Sequence, residues 1–145
     1  MKAVRTLDDT RAQVLEQHEA LRELVRRTRR VLSLDDEPSA LKRVVSELAG
    51  FFLKHLKTEE RVLFPIIRDL DPWGPARVDR LLDGHRQQRI LVAALLDQLR
   101  QEATVAVLVA DVDWFVHLLE ADMAEEEEML LSLSDDCVMD AQECG

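Results

Sequence analysis

Six polar side chains stand at helix-spaced positions whose neighbours in the period are apolar: His18, His55, Glu59, His85, Asp122 and Glu126. Imidazole and carboxylate together suit iron, manganese or zinc. A carboxylate buried without a partner is costly, and several together are worse unless a cation neutralises them. His55 and Glu59 are four residues apart and share one helix face. Asp122 and Glu126 repeat that spacing, and 37 residues separate His18 from His55 as they separate His85 from Asp122. At about 1.5 Å of rise per residue, the members of each pair reach nearly the same level on either side of their turn. This pattern predicts a dinuclear site. His18 and His55 would hold one metal, His85 and Asp122 the other, and Glu59 and Glu126 would bridge them. Each ion then keeps room for a solvent bridge and an exogenous ligand.

The elements that position these residues are helices. Apolar residues recur at helical spacing in four stretches: Val14 to Leu32, Leu41 to Ile66, Val78 to Leu99, and Leu108 to Leu133. Asp8, Asp9 and Thr10 offer an N-cap for the first, and Thr104 one for the fourth. Pro38 suits the first turn of the second helix. The clearest turn is Asp71-Pro72-Trp73-Gly74-Pro75. Short breaks place consecutive helices antiparallel, so the chain is expected to be all-α, an antiparallel up-down-up-down four-helix bundle. The bundle is expected over 1–133, with 134–145 as an acidic, frayed C-terminal tail.

The second half also repeats the first at an offset of 67 residues, which carries His18 to His85, Arg22 to Arg89, His55 to Asp122, and Glu59-Glu60 to Glu126-Glu127. Leucines recur in any amphipathic helix, but His and Glu-Glu in one register are less generic. The two helical hairpins should therefore be related by a pseudo-twofold.

The stretches Gln17-His18-Glu19-Ala20-Leu21-Arg22 and His55-Leu56-Lys57-Thr58-Glu59-Glu60-Arg61-Val62-Leu63-Phe64-Pro65 resemble the hemerythrin-like (HHE) cation-binding family. Gly84-His85 and Glu126-Glu127-Glu128-Met129-Leu130 continue the likeness, which covers roughly residues 10–131. The resemblance implies a four-helix bundle around a non-haem di-iron centre. It implies chemistry with dioxygen, peroxide or nitric oxide, or use as an oxygen or iron sensor. Two positions depart from the family. Asp122 stands where a histidine is usual. Arg89 stands where respiratory hemerythrins carry a further histidine, and a guanidinium cannot ligate because it stays protonated. Arg89 is instead placed to offset carboxylate charge, and the added anionic ligand should favour ferric iron.

Other readings of these residues are blander. A single histidine on an apolar face is commonly a hydrogen-bonded core side chain, and a run such as Glu125 to Glu128 is commonly a solvated face. The shared register selects the six named residues. His117 and Asp122 form a His-x4-Asp pair like that of respiratory hemerythrins, but positions i and i+5 lie about 140° apart on a regular helix. His117 shares its face with Asp113 and Glu120 and reads as a surface residue. Cys137 and Cys144 show no metal-ligand spacing and read as an inert tail.

Composition narrows the function. The 145 residues carry a formal charge of -10, which disfavours nucleic acid and anionic lipid as partners. No apolar run is long enough to cross a membrane, no secretory segment opens the chain, and two late cysteines suit a cytoplasmic protein. The expected function is a non-haem di-iron protein that binds or reacts with dioxygen, peroxide or nitric oxide, with peroxidase- or catalase-like turnover left open. The expected cofactor is two iron ions, with manganese or zinc as alternatives, and the expected partner is a small diatomic ligand or peroxide. The competing class is a metal-binding sensor or iron-binding module without turnover. A weaker third is a bundle that has lost its metal and serves as a scaffold.

Overall fold

The helical period is realised in four long rods. The computed structural model describes residues 6–33, 38–101 and 105–143, with side chains described at 106–133 in the last of these. Helix α1 spans Leu7–Ser33 and α2 spans Pro38–Thr58. The second rod continues without a break through a π-helical turn, Glu59–Leu63, into α3, Phe64–Leu70. Helix α4 spans Gly74–Arg100 and α5 spans Val105–Glu143. No strand occurs among the described residues. The α1 helix packs on α2 and α5, while α4 packs on α3, α2 and α5, which closes the antiparallel four-helix bundle.

Several boundaries differ from the sequence expectation. The first helix is capped by Thr6, not by Asp8, Asp9 or Thr10. The Asp9 N–H donates to Thr6 Oγ1 at 3.1 Å, and the Thr6 N–H donates to Asp9 Oδ2 at 3.3 Å. This reciprocal pair is a capping box with Asp in the place of the usual Glu. The fourth helix runs past Leu133 to Glu143, since no glycine or proline interrupts it. Thr104, the acidic residues 35–37, Cys144 and the Cys137 side chain lie outside the described residues.

The π turn was not expected. Proline at 65 lacks an N–H, and its ring would clash with the carbonyl four residues back in a regular α-helix. The Phe64 N–H instead reaches five residues back to the Glu59 carbonyl. The extra residue in this turn re-phases the rod, so that Glu59, Leu63, Phe64 and Ile67 all face inward.

Buried apolar side chains form two clusters. The larger includes Leu21, Val45, Leu48, Phe52, Val92, Phe115 and Leu119. The smaller comprises Val14, Leu63, Phe64, Ile67, Val78, Leu130 and Leu133. His18, His55, Glu59 and His85 lie in sequence between members of the two clusters, buried like them. Burying a leucine or phenylalanine side chain stabilises by about 1.5–3 kcal/mol. A dozen or more such groups can carry one polar layer that costs several.

The turn after α3 is tight. Asp71 Oδ1 accepts from the Trp73 N–H at 2.8 Å, and Asp71 Oδ2 accepts from Arg77 Nη1 at 2.6 Å. Gly74 follows at a close approach of backbones: a Cβ there would stand 2.2 Å from the Arg68 carbonyl oxygen. Gly74→Ala should therefore destabilise the fold by about 1–3 kcal/mol, the usual cost of overpacking. Gly50 sits exposed within α2, and a Cβ there meets nothing within 4 Å. Gly50→Ala should stabilise by about 0.5–1 kcal/mol through helix propensity. Urea unfolding of both variants checks the opposite signs.

Candidate metal centre

Each of three rods contributes one histidine to the middle of the bundle: His18 from α1, His55 from α2 and His85 from α4. All three are buried, and Glu59, at the start of the π turn, is only 1% exposed. The rings turn the same way. His18 Nδ1 lies 3.3 Å from Glu127 Oε2, His55 Nδ1 lies 2.6 Å from Gln17 Oε1, and His85 Nδ1 lies 2.8 Å from Glu60 Oε2. All three partners are acceptors, so the tautomer with the proton on Nδ1 anchors each ring outward. Gln17 is held in this orientation because its Nε2 donates to Thr58 Oγ1 at 3.3 Å, and that hydroxyl donates to the Lys54 carbonyl.

The Nε2 atoms are left facing the centre as lone pairs. His18 Nε2 stands 2.9 Å from Glu126 Oε1, and His55 Nε2 stands 2.5 Å from Glu59 Oε1. His55 Nε2 is also 3.8 Å from Glu126 Oε1, and His85 Nε2 is 4.0 Å from Glu59 Oε1. Acceptor faces acceptor throughout, which requires a cation or a proton between them. Both Glu59 oxygens are buried without a hydrogen-bond partner. Histidine Nε2 atoms converging on orphaned carboxylate oxygens are the donor set a divalent or trivalent metal takes, with each Nδ1–H anchored by an outer acceptor. The residues present fit a metal.

The electrostatics follow from this enclosure. Burial, reinforced by the adjacent Glu126 carboxylate, pushes the Glu59 carboxyl well above the usual carboxylate range. Burial also opposes ionisation of Glu126, but Glu59 and His18 outweigh it and lower its pKa. Burial pulls His55 down to about 4, against the attraction of Glu126 and with help from His18 and His85.

Glu60 and Glu127 were not anticipated as functional residues. Arg89 grips Glu60 with two hydrogen bonds, Nη1 to Oε2 at 2.7 Å and Nη2 to Oε1 at 2.8 Å. Arg22 Nη2 donates a single hydrogen bond to Glu127 Oε2. Two chains of contact result, Arg22–Glu127–His18 and Arg89–Glu60–His85, related by the 67-residue register. The Arg89 guanidinium lowers the Glu60 pKa, and Arg22 and His18 lower that of Glu127 against its partial burial. The signal was present in the sequence, since Arg22 matches Arg89 and Glu60 matches Glu127. Only the structure shows that these pairs orient the histidines.

All six residues singled out in the sequence line one cavity of about 330 Å3. His18, His55 and Glu126 come closest, with ligand atoms within 4.8 Å of one another. Glu59 and His85 complete the layer. Asp122 lies at its edge, half-buried, where it accepts a hydrogen bond from Gln88 Nε2. Burial raises the Asp122 pKa and Gln88 opposes the rise. His117 is 64% exposed and its Nδ1 donates to the Asp113 carbonyl, outside the cavity.

The family model for the hemerythrin HHE cation binding domain matches residues 9–134. No curated protein and no solved structure matches the chain.

Two outcomes test the layer. Glu59→Gln removes a buried carboxyl that has no partner, so the metal-free protein should unfold at the same temperature or higher, gaining up to about 2 kcal/mol, while metal uptake falls. Calorimetry of metal-free samples and elemental analysis separate the two effects. Glu60→Ala and Glu127→Ala should each weaken metal affinity about 10–100-fold, because each releases a histidine ring from its anchor. Competition with a chelator of known affinity measures this, with circular dichroism confirming the helices.

Proposed function

The chain belongs to the hemerythrin HHE cation-binding family, and on that premise we propose that it is a non-haem di-iron protein acting on dioxygen, peroxide or nitric oxide. His18 and His55 would hold one iron, His85 and Asp122 the other, and Glu59 and Glu126 would bridge. The observation that carries this reading is the Glu59 carboxylate, buried, without a donor, and approached by Nε2 of both His55 and His85. Approach by two histidines on different helices supports a bridging role for this group over a terminal one. Iron in such a site supplies a redox couple able to exchange electrons with a small oxygen or nitrogen ligand. The protein supplies the rest. Nδ1–H bonds to Glu127, Gln17 and Glu60 fix the ring planes. Arg22 and Arg89 balance the outer carboxylates, so that these add orientation with little net negative charge. Phe52, Leu56, Leu119 and Met123 line the cavity with apolar surface that limits competing water.

One observation favours the second reading, a cation-binding module without turnover. His18, His55 and Glu126 form a compact three-ligand group by themselves, whereas the Asp122 carboxylate is engaged by Gln88. The two readings differ in stoichiometry. Protein produced with iron present should contain about two iron ions per chain, and addition of peroxide should change its ultraviolet–visible spectrum. One tightly held ion per chain with no spectral response to peroxide supports the module. A folded chain with no affinity for ferrous iron would sink both.

A further inference from the structure

The two halves of the metal layer share a register but are filled differently. On α1, Gln17 and Leu21 flank His18. Gln17 closes one side by bonding His55 Nδ1 and Thr58, and Leu21 is fully buried apolar packing. Their counterparts on α4, 67 residues on, are Gly84 and Gln88. Gly84 leaves the corresponding wall out: a Cβ there would meet nothing within 4 Å, and the residue lines the cavity. Gln88 places an amide where α1 carries leucine. Its Nε2 donates to Asp122, and its Oε1 is buried without a partner. A second hollow of about 150 Å3 continues from the same point between α4 and α5, sharing Gly84, Gln88, Leu119 and Asp122 with the main cavity. Arg80 lines the main cavity as an exposed cation.

We infer that the small ligand of this centre enters between α4 and α5 and is held at the Asp122 end, in the space left by Gly84, with the free Gln88 Oε1 accepting a hydrogen bond from a protic ligand of the hydrogen peroxide type. The inference rests on the metal reading above and adds the side and the contact residue. The α1–α2 side is closed by Gln17 and Leu21. The α4–α5 side is open and polar at its inner end, where the Asp122 carboxylate and the Gln88 oxygen are both acceptors, which suits a small ligand of a few heavy atoms with an O–H to donate. An unpaired buried amide oxygen is costly to leave unsatisfied. A ligand or a water that donates an O–H to it is therefore favoured at this position over the apolar opposite side.

Azide titration of the iron-loaded protein tests the assignment, with iron content measured on the same samples. Gly84→Gln and Gly84→Leu project side chains into the hollow. Both should retain iron and weaken azide binding at least tenfold by filling the hollow. Gln88→Leu, which copies the α1 side, removes an acceptor that azide cannot use, so it should leave azide affinity unchanged and slow the spectral response to hydrogen peroxide severalfold; an unchanged peroxide response overturns the Gln88 contact. Unchanged azide affinity in both Gly84 variants at full iron content overturns the inference and leaves the metal reading standing. If the larger side chains displace iron, Gly84→Ala decides by stopped-flow: slower azide association with iron in place supports the inference, and an unchanged rate overturns it. A wild-type protein that takes up no iron overturns the metal reading and this inference with it.

Discussion

A carboxylate enclosed between two apolar clusters, with no donor on either oxygen, sets the terms for the rest of this molecule. Glu59 cannot be ionised there without a cation, and it stays neutral only by donating its proton in a hydrogen bond to a neighbour in the same layer, Glu126 or the His55 ring. The surrounding groups do not relieve the ionised form. Three imidazoles have their Nδ1 protons committed outward, so they meet the centre as lone pairs. Glu126 adds a second carboxylate. The outer groups then become intelligible as supports: Glu60, Glu127 and Gln17 hold rings, and Arg22 and Arg89 hold Glu127 and Glu60. The apolar packing is what allows the layer to exist, because it fixes the rods firmly enough that the polar groups cannot move apart into water.

Much of this was legible in the sequence. The period of Val14, His18, Leu21 and Val25 identifies the inward face of the first helix. The offset that carries His18 to His85 and Glu59 to Glu126 identifies the layer, since helical phase is set by local geometry alone. What escaped notice depends on relations between helices. Glu60 sits one residue from Glu59, about 100° away on a regular helix, and looks solvated until α4 brings His85 and Arg89 beside it. The π turn could have been suspected from Pro65, which forbids a regular hydrogen bond at that point. Its effect on the phase of Ile67 required coordinates. The cap lies at Thr6 rather than at Asp8, Asp9 or Thr10 because a threonine followed three residues later by an acid is the stronger arrangement.

The family departures acquire physical content. Arg89 does not touch the layer; it offsets charge through Glu60, and Arg22 does the same through Glu127. The guanidinium at 89 is thus half of a symmetric pair rather than a lost ligand. Asp122 is the point where symmetry fails. A shorter, anionic side chain stands where the register has His55, and Gln88 reaches across to it. The two hairpins agree in the Glu and Arg residues that orient His18 and His85, and differ at Gln17, which orients His55 and has Gly84 as its counterpart.

The unequal size of the two apolar clusters has a consequence for how the chain comes apart. The smaller cluster lies at the end of the bundle that holds the Asp71 turn, and the polar layer separates it from the larger one. Contacts across that layer are the ones a metal would tie together. Without them, the end built from Leu63, Phe64, Ile67, Val78 and Leu130 is held by its own few side chains, and its amide protons should exchange through local opening at lower free energy than those around Leu48 and Val112. A bound cation would join the two ends into one cooperative unit, so that occupancy of the centre would be written into the mobility of backbone many residues away from any ligand.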